Sequence, residues 1–235
     1  MANHVQDSPT LDHIQLLAGL TQVQRDQLCR QCRWKRYHAD EQIIDNQSDS
    51  SDIFFVVAGV VRVVNYSASG REVALEDIGP GGHFGELAAL DGAPRSANVV
   101  AQEETLVAVL PAEHFHRLLR ASPDVALGVM LGLARVIRQA TDRIMDLSTL
   151  GANNRVHAEL LRQARMVSKD GRKASIQPIP VHSDIASRVS TTRETVARVL
   201  SDLTRAGLVK RDKDALRIMD IQRLQTMVDD VRGEA

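Results

Sequence analysis

The chain has 235 residues, 43% hydrophobic and 25% charged, enough for two modest domains with separate cores and ordinary for a soluble protein. Its longest apolar stretch, Ile53 to Val61, falls far short of the roughly 20 residues a membrane helix needs, and Met1 to Leu11 lacks the apolar core of a secretory signal, so a cytoplasmic location is expected. The net charge of −1 hides an asymmetry: residues 1–151 carry 13 Lys and Arg against 19 Asp and Glu, and residues 152–235 carry 16 against 11, the balance of a nucleic-acid-binding part joined to an acidic sensor.

Residues 1–10 read as a loose tail. Leu11, Ile14, Leu17, Leu20 and Leu28 supply an apolar face that predicts a helix over 11–33, with Thr21 as an N-cap. Cys29 and Cys32 form a CxxC on that helix. The chain has no further cysteine with which to complete a zinc or iron–sulfur site, so two reduced, partly buried thiols are expected.

From Trp34 to about Leu110 the pattern changes to short strands broken by turns. Ile53 to Val64 is rich in β-branched residues with Gly59 as its turn point; Tyr66 to Gly70 is a hairpin loop; Val73, Leu75 and Ile78 mark the next strand; Val99 to Leu110 supplies the last ones. Strands at this spacing predict a β-barrel or a sandwich-like roll. Gly79-Pro80-Gly81-Gly82 is a tight turn rather than a dinucleotide loop, because no GxGxxG surrounds it. His83, His114 and His116 raise the alternative of a metal enzyme built on a β-roll. The last two fall after Pro111 in a helix-prone stretch, which argues against a shared ligand set and against a metal.

The run Gly85-Glu86-Leu87-Ala88-Ala89-Leu90-Asp91-Gly92-Ala93-Pro94-Arg95-Ser96-Ala97 sets a carboxylate and a guanidinium nine positions apart. Arginine grips a phosphate through two parallel charge-assisted hydrogen bonds, whereas an ionised carboxylate accepts from a sugar hydroxyl and repels phosphate. A compact ligand carrying both groups, such as a cyclic nucleotide, satisfies the pair. Gly85 permits close backbone approach, the amides after it can open a helix, and Ser96 adds a hydroxyl. The bland alternative is a turn with a solvated Glu and a solvated Arg.

A long helix is predicted from about Pro123 to Leu150. Met130, Ala134, Ile137, Thr141, Ile144 and Ser148 alternate steps of four and three, a coiled-coil seam whose simplest partner is a second copy of the chain. Gly151-Ala152-Asn153-Asn154 breaks the helix. Residues 155–167 read as an amphipathic helix and Val167 to Pro180 as a polar excursion. Ser183 to Val189 makes a short helix, Ser190-Thr191 turns the chain, and Thr192 caps Arg193 to Leu200. Arg193, Glu194 and Arg198 then lie on an exposed face, the patterning of a helix-turn-helix. Gly207 ends a following helix, and Leu208-Val209 with Leu216-Arg217-Ile218 forms a β-wing.

The 85–97 run resembles the phosphate-binding cassette of the CRP/FNR family of bacterial transcription regulators, through Gly85, Glu86, Leu87, Arg95, Ser96 and Ala97. The C-terminal part resembles that family's winged-helix domain through Arg193-Glu194-Thr195-Val196 and Arg198. The resemblance covers about Leu11 to Met219. It implies an α+β fold: an N-terminal cyclic-nucleotide-binding β-roll over 1–122, a dimerisation helix over 123–150 and a C-terminal winged helix-turn-helix over 151–235. It implies a non-enzymatic, homodimeric regulator with cyclic AMP or cyclic GMP as allosteric ligand, double-stranded DNA and RNA polymerase as partners, and no membrane. The base would meet Thr141 on the paired helices, where Ala140 replaces a usual Thr and leaves the choice of purine open; Ser96 could also accept from the guanine 2-amino group. Arg193 and Arg198 pair with guanine and Glu194 with the cytosine amino group, a reading edge for a G/C-containing half-site, with Thr192 and Thr195 as phosphate contacts or capping groups; the resemblance implies a palindrome whose half-sites are close to TGTGA. The family often has Asp at Gly151 and Gly at Ser190. The nearest alternative is a relative answering to a haem-bound gas, 2-oxoglutarate or redox state; a kinase regulatory subunit would leave the basic winged helix without a role.

Overall fold

Ile53 to Val56 are all buried, although a strand wetted on one face would bury only alternate residues. The reason is that their sheet is covered on both sides. In the computed structural model, which describes residues 9–68, 70 and 72–232, the chain divides into two units: residues up to 66 with 74–135, and residues 67–73 with 136 onward. Ser69, in the expected hairpin loop, and residues 1–8 of the expected tail lie outside the described residues.

The first unit is a β-roll of two four-stranded sheets. Strands β1 (Arg33–Tyr37), β8 (Thr105–Leu110), β3 (Ile53–Ala58) and β6 (His83–Phe84) lie in that order in one sheet. Strands β2 (Gln42–Ile44), β7 (Asn98–Ala101), β4 (Val61–Tyr66) and β5 (Glu72–Ile78) form the other. Phe54, Val56, Val107 and Val109 point between the sheets into a cluster with Phe84, Val99 and Ile44. Their neighbours Ile53, Phe55, Ala108 and Leu110 point the other way, into a second cluster with Leu11, Ile14, Leu17, Phe115, Val125 and Val129. That second layer comes from helices α1 (Gln22–Cys29), α3 (Ala112–Ala121) and the start of α4 (Pro123–Thr149). Gly59, at φ +81°, turns β3 into β4 with no room for a side chain beside Thr105.

The helix expected over 11–33 is broken. Residues 11–20 form turns around a 3-10 segment, Gln15–Leu17, because apolar residues three apart are satisfied by tight turns as well as by an α-helix. Thr21 caps α1 as expected: its Oγ1 accepts from the Gln24 amide at 3.3 Å while the Gln24 side chain accepts from the Thr21 amide at 2.8 Å. Cys29 ends α1 and Cys32 lies beyond it, so the CxxC is not helical throughout. Both thiols are half-buried, and burial pushes Cys32 up to about 12.

The second unit contains the end of α4 and helices α5 (Ala152–Val167), α6 (His182–Arg188), α7 (Arg193–Arg205) and α8 (Ile221–Arg232). Its small sheet has the order β10 (Val209–Arg211), β11 (Leu216–Ile218), β9 (Ala174–Ile176). Leu150, Val156, Leu160, Ile185, Val196, Leu203, Ile218 and Leu224 close one core. Four expectations change here. Helix α5 begins at Ala152, directly after its Gly151 cap; the polar excursion contains β9; α7 is one helix up to Arg205, so Gly207 ends the same helix that Thr192 begins; and α8 follows the wing. Strand β9 was masked by its polar flanks, and only pairing with Leu216 to Ile218 gives Ala174 and Ile176 a buried face. No helix among the described residues is long and apolar enough to cross a membrane.

Candidate functional site

Glu86–Asp91 forms the short helix α2, bracketed by Gly85 and Gly92, both left-handed with φ of +81° and +69°. Asp91 accepts from the Ala93 amide at 2.9 Å, which closes the helix and turns the chain toward Pro94 and Arg95. Ala97 is buried at the mouth of β7, Ser96 is exposed, and its carbonyl accepts from the Asn65 side chain on β4 at 3.2 Å. Gly85, Glu86, Leu87, Arg95, Ser96 and Ala97 are thus gathered around one turn–helix–turn in the first unit, with Leu87 exposed.

Arg95 is not a solvated surface cation: only 5% of it is exposed. Its Nη1 donates to the Gly85 carbonyl at 2.9 Å and its Nη2 to the Asp52 carbonyl at 2.8 Å. Nη2 and Nε both donate to Ser50 Oγ, at 3.1 and 3.2 Å. The guanidinium carbon sits 5.6 Å from the Phe54 ring centroid, and Phe54 stacks on Phe84 at 4.8 Å. Burial disfavours its charge, and Asp52 and Glu86 offset part of that cost. Glu86 is half-buried. Desolvation raises its pKa above the ordinary carboxylate value, against smaller opposing effects from its own backbone amide and Arg95. A buried guanidinium with a half-buried carboxylate on the same turn–helix–turn suits a polar ligand with one anionic and one hydroxyl group.

Thr141 belongs to the second unit, exposed on α4, where its hydroxyl donates to the Ile137 carbonyl at 3.0 Å. Along the same helix Met130, Ile137 and Ile144 are 57%, 65% and 63% exposed, an apolar seam left open among the described residues.

In the helix-turn-helix, Thr192 Oγ1 accepts from the Thr195 amide at 3.3 Å and lies 3.2 Å from Thr195 Oγ1, so both threonines serve the start of α7. Arg193, Glu194 and Arg198 are exposed, while Val196, Val199 and Leu203 are buried on the opposite face. Glu194 is held below the usual carboxylate range by its own amide and the Thr192 hydroxyl, which ties the carboxylate to the helix start. Arg198 reaches Asn153 on α5 at 3.5 Å. The turn before α7 is gripped from α5: Arg155 donates to the Val189, Ser190 and Leu150 carbonyls at 2.8, 3.1 and 2.9 Å.

Sequence reasoning missed Ser50, Asp52, Phe54 and Arg155. Nothing in the 85–97 run points to the first three, which reach Arg95 because β3 pairs with β6, the strand just before Gly85. Arg155 carried no signal beyond its place on an amphipathic helix.

Residues 34–122 match the cyclic nucleotide-binding domain family, and residues 154–227 match the Crp-like helix-turn-helix domain family. The cyclic AMP receptor protein of Thermus thermophilus is 34% identical over 173 residues, covering 74% of this chain and 77% of that protein. Among solved structures, FixK2 from Bradyrhizobium japonicum superposes with a TM-score of 0.69 at 25% identity, over 83% of this chain and 96% of that one. A CooA mutant from Carboxydothermus hydrogenoformans shares the fold with a TM-score of 0.77 at 21% identity, over 94% and 96% of the two chains. With a β-roll bearing the cassette, a winged helix-turn-helix and these relatives, the chain belongs to the CRP/FNR family of transcription regulators.

Proposed function

We propose that this regulator works as a cytoplasmic homodimer switched by a purine cyclic monophosphate, cyclic AMP or cyclic GMP, bound through Glu86, Arg95 and Ser96. The observation that carries the reading is the buried Arg95 guanidinium on the same turn–helix–turn as the half-buried Glu86 carboxylate, close enough for each to favour the other's charge. Arg95 supplies paired donors for the cyclic phosphate, Glu86 accepts from the ribose 2′-hydroxyl, and Gly85 keeps the backbone clear. A cyclic nucleotide uses Glu86, Arg95 and Ser96 together, whereas haem or a dicarboxylate has no hydroxyl donor for the Glu86 carboxylate.

Residues 1–122 are then the sensor, 123–150 the dimerisation helix and 151–235 the reader. Met130, Ile137 and Ile144 pack against their copies in the partner, and Thr141 of both protomers meets the base. Ligand binding favours the arrangement that sets two α7 helices about 34 Å apart, one DNA turn. Arg193 and Arg198 read guanine, Glu194 reads cytosine, and Thr192 and Thr195 hold the start of the helix near phosphate. RNA polymerase is the downstream partner.

Calorimetric titration with cyclic AMP and cyclic GMP, paired with operator binding, tests this. Wild type binds at least one nucleotide and its operator affinity rises; Arg95→Ala loses the response with its circular dichroism unchanged. Nucleotide-dependent operator binding in Arg95→Ala sinks the site assignment.

A further inference from the structure

The acceptors around Arg95 are not equivalent. The Gly85 carbonyl precedes α2 and the Asp52 carbonyl leads into β3, so both are main-chain groups fixed by the elements they open. Ser50 differs: it is exposed, it lies in the stretch between β2 and β3 that belongs to no strand, and its Oγ is 3.4 Å from Ser48 Oγ. Its single oxygen nonetheless receives both Nε and Nη2.

A guanidinium offers paired donors along two edges useful to a phosphate, Nε with Nη2 and Nη1 with Nη2. The two backbone carbonyls anchor the Nη1 and Nη2 side. The Nε–Nη2 edge rests on a neutral hydroxyl on a surface segment, which can move away without breaking a sheet hydrogen bond. An anionic phosphate is also the stronger acceptor for those two donors.

We propose that Ser50 is a positioning residue of the nucleotide site: its hydroxyl aligns the Nε–Nη2 edge of Arg95 and competes with the ligand phosphate for it, so Ser50 sets nucleotide affinity. The inference rests on the reading of Arg95 as the phosphate partner. Binding becomes an exchange in which two donors pass from one hydroxyl oxygen to two phosphate oxygens, while the carbonyls of Gly85 and Asp52 keep the guanidinium in plane.

Two measurements on the full-length protein test this. Proton–nitrogen spectra without nucleotide, with the Arg95 Nε signal assigned through Arg95→Lys, should show a slowly exchanging Nε–H in wild type and Ser50→Thr and a fast-exchanging one in Ser50→Ala. Calorimetry with cyclic AMP and cyclic GMP should give about 3–10-fold tighter binding in Ser50→Ala, wild-type binding in Ser50→Thr, and binding weakened roughly 10-fold or more in Ser50→Asp, whose charge holds the edge. An Nε–H that exchanges as fast in wild type as in Ser50→Ala overturns the inference. So does a Ser50→Ala protein that binds nucleotide no tighter than wild type. Those results leave the proposed site standing, whereas a wild-type protein that binds neither nucleotide overturns both.

Discussion

A Cβ added to Gly85 would lie 2.8 Å from Arg95 Nη1, 3.0 Å from the Asp52 carbonyl and 3.2 Å from the Phe54 ring, at a φ of +81°. Two independent costs fall on one residue: the left-handed backbone and the collision with the guanidinium. Gly85→Ala should therefore destabilise the first unit by about 1–3 kcal/mol, read by chemical denaturation, and weaken nucleotide binding in the same preparation. A variant of wild-type stability and affinity would contradict the close packing of this turn. Glu86 carries a different cost. Desolvation raises its folded pKa above the ordinary value of 4.5, so its contribution to stability is fullest below pH 4.5 and is lost as pH rises through the raised value. Glu86→Gln should accordingly melt at a higher temperature than wild type at pH 7, with the gap closing as pH falls to about 4, while nucleotide affinity drops. A gap independent of pH would mean that the ionised carboxylate is not under strain.

At the scale of elements, the turn between α6 and α7 is the place where local and tertiary preferences disagree. Ser190 takes a φ of +51°, a region costing a residue with a Cβ about 1 kcal/mol, and Arg155 holds that conformation through the Val189 and Ser190 carbonyls. Ser190→Gly should stabilise the second unit by about 0.5–1 kcal/mol without moving α7, measured by urea denaturation with operator binding as the control. A loss of stability would show that the serine side chain matters more than the backbone strain. The helices before and after this turn were legible from the Thr192 cap and the spacing of Ile185, Ala186, Val189, Val196 and Val199, although the second runs on to Arg205 instead of ending at Leu200. Helix 11–33 was misread because the same apolar spacing of three serves turns and 3-10 segments, and only the core decides which.

For the whole molecule, α4 is the element whose exposed face a single chain leaves unexplained. Its first turns bury Val125 and Val129 in the roll, while Met130, Ile137 and Ile144 stay in solvent at coiled-coil spacing. Ile137→Lys combined with Ile144→Lys should give a monomer by light scattering with helix content preserved. Operator affinity should fall by roughly 100-fold or more, since two tethered readers bind far better than one. A double variant that remains dimeric would place the interface elsewhere.

The family was legible as a resemblance carried by the 85–97 run and by Arg193-Glu194-Thr195-Val196 with Arg198. Periodicity, caps and turn residues, each spanning a few positions, gave the order of β-strands, long helix and helix-turn-helix and the exposed edge of Arg193, Glu194 and Arg198. The hold on Arg95, by contrast, comes from residues that only folding brings near it. Ser50 and Asp52 stand more than 40 positions before Arg95, and the pairing of β3 with β6, the strand just before Gly85, brings them within hydrogen-bond reach. The same holds for β9, which is a strand only because β11 lies beside it, and for Arg155, whose three acceptors come from the end of α4 and the turn before α7. A hydrogen bond between segments far apart in the chain leaves no period to read, and burial of a charge follows from what the fold puts around it.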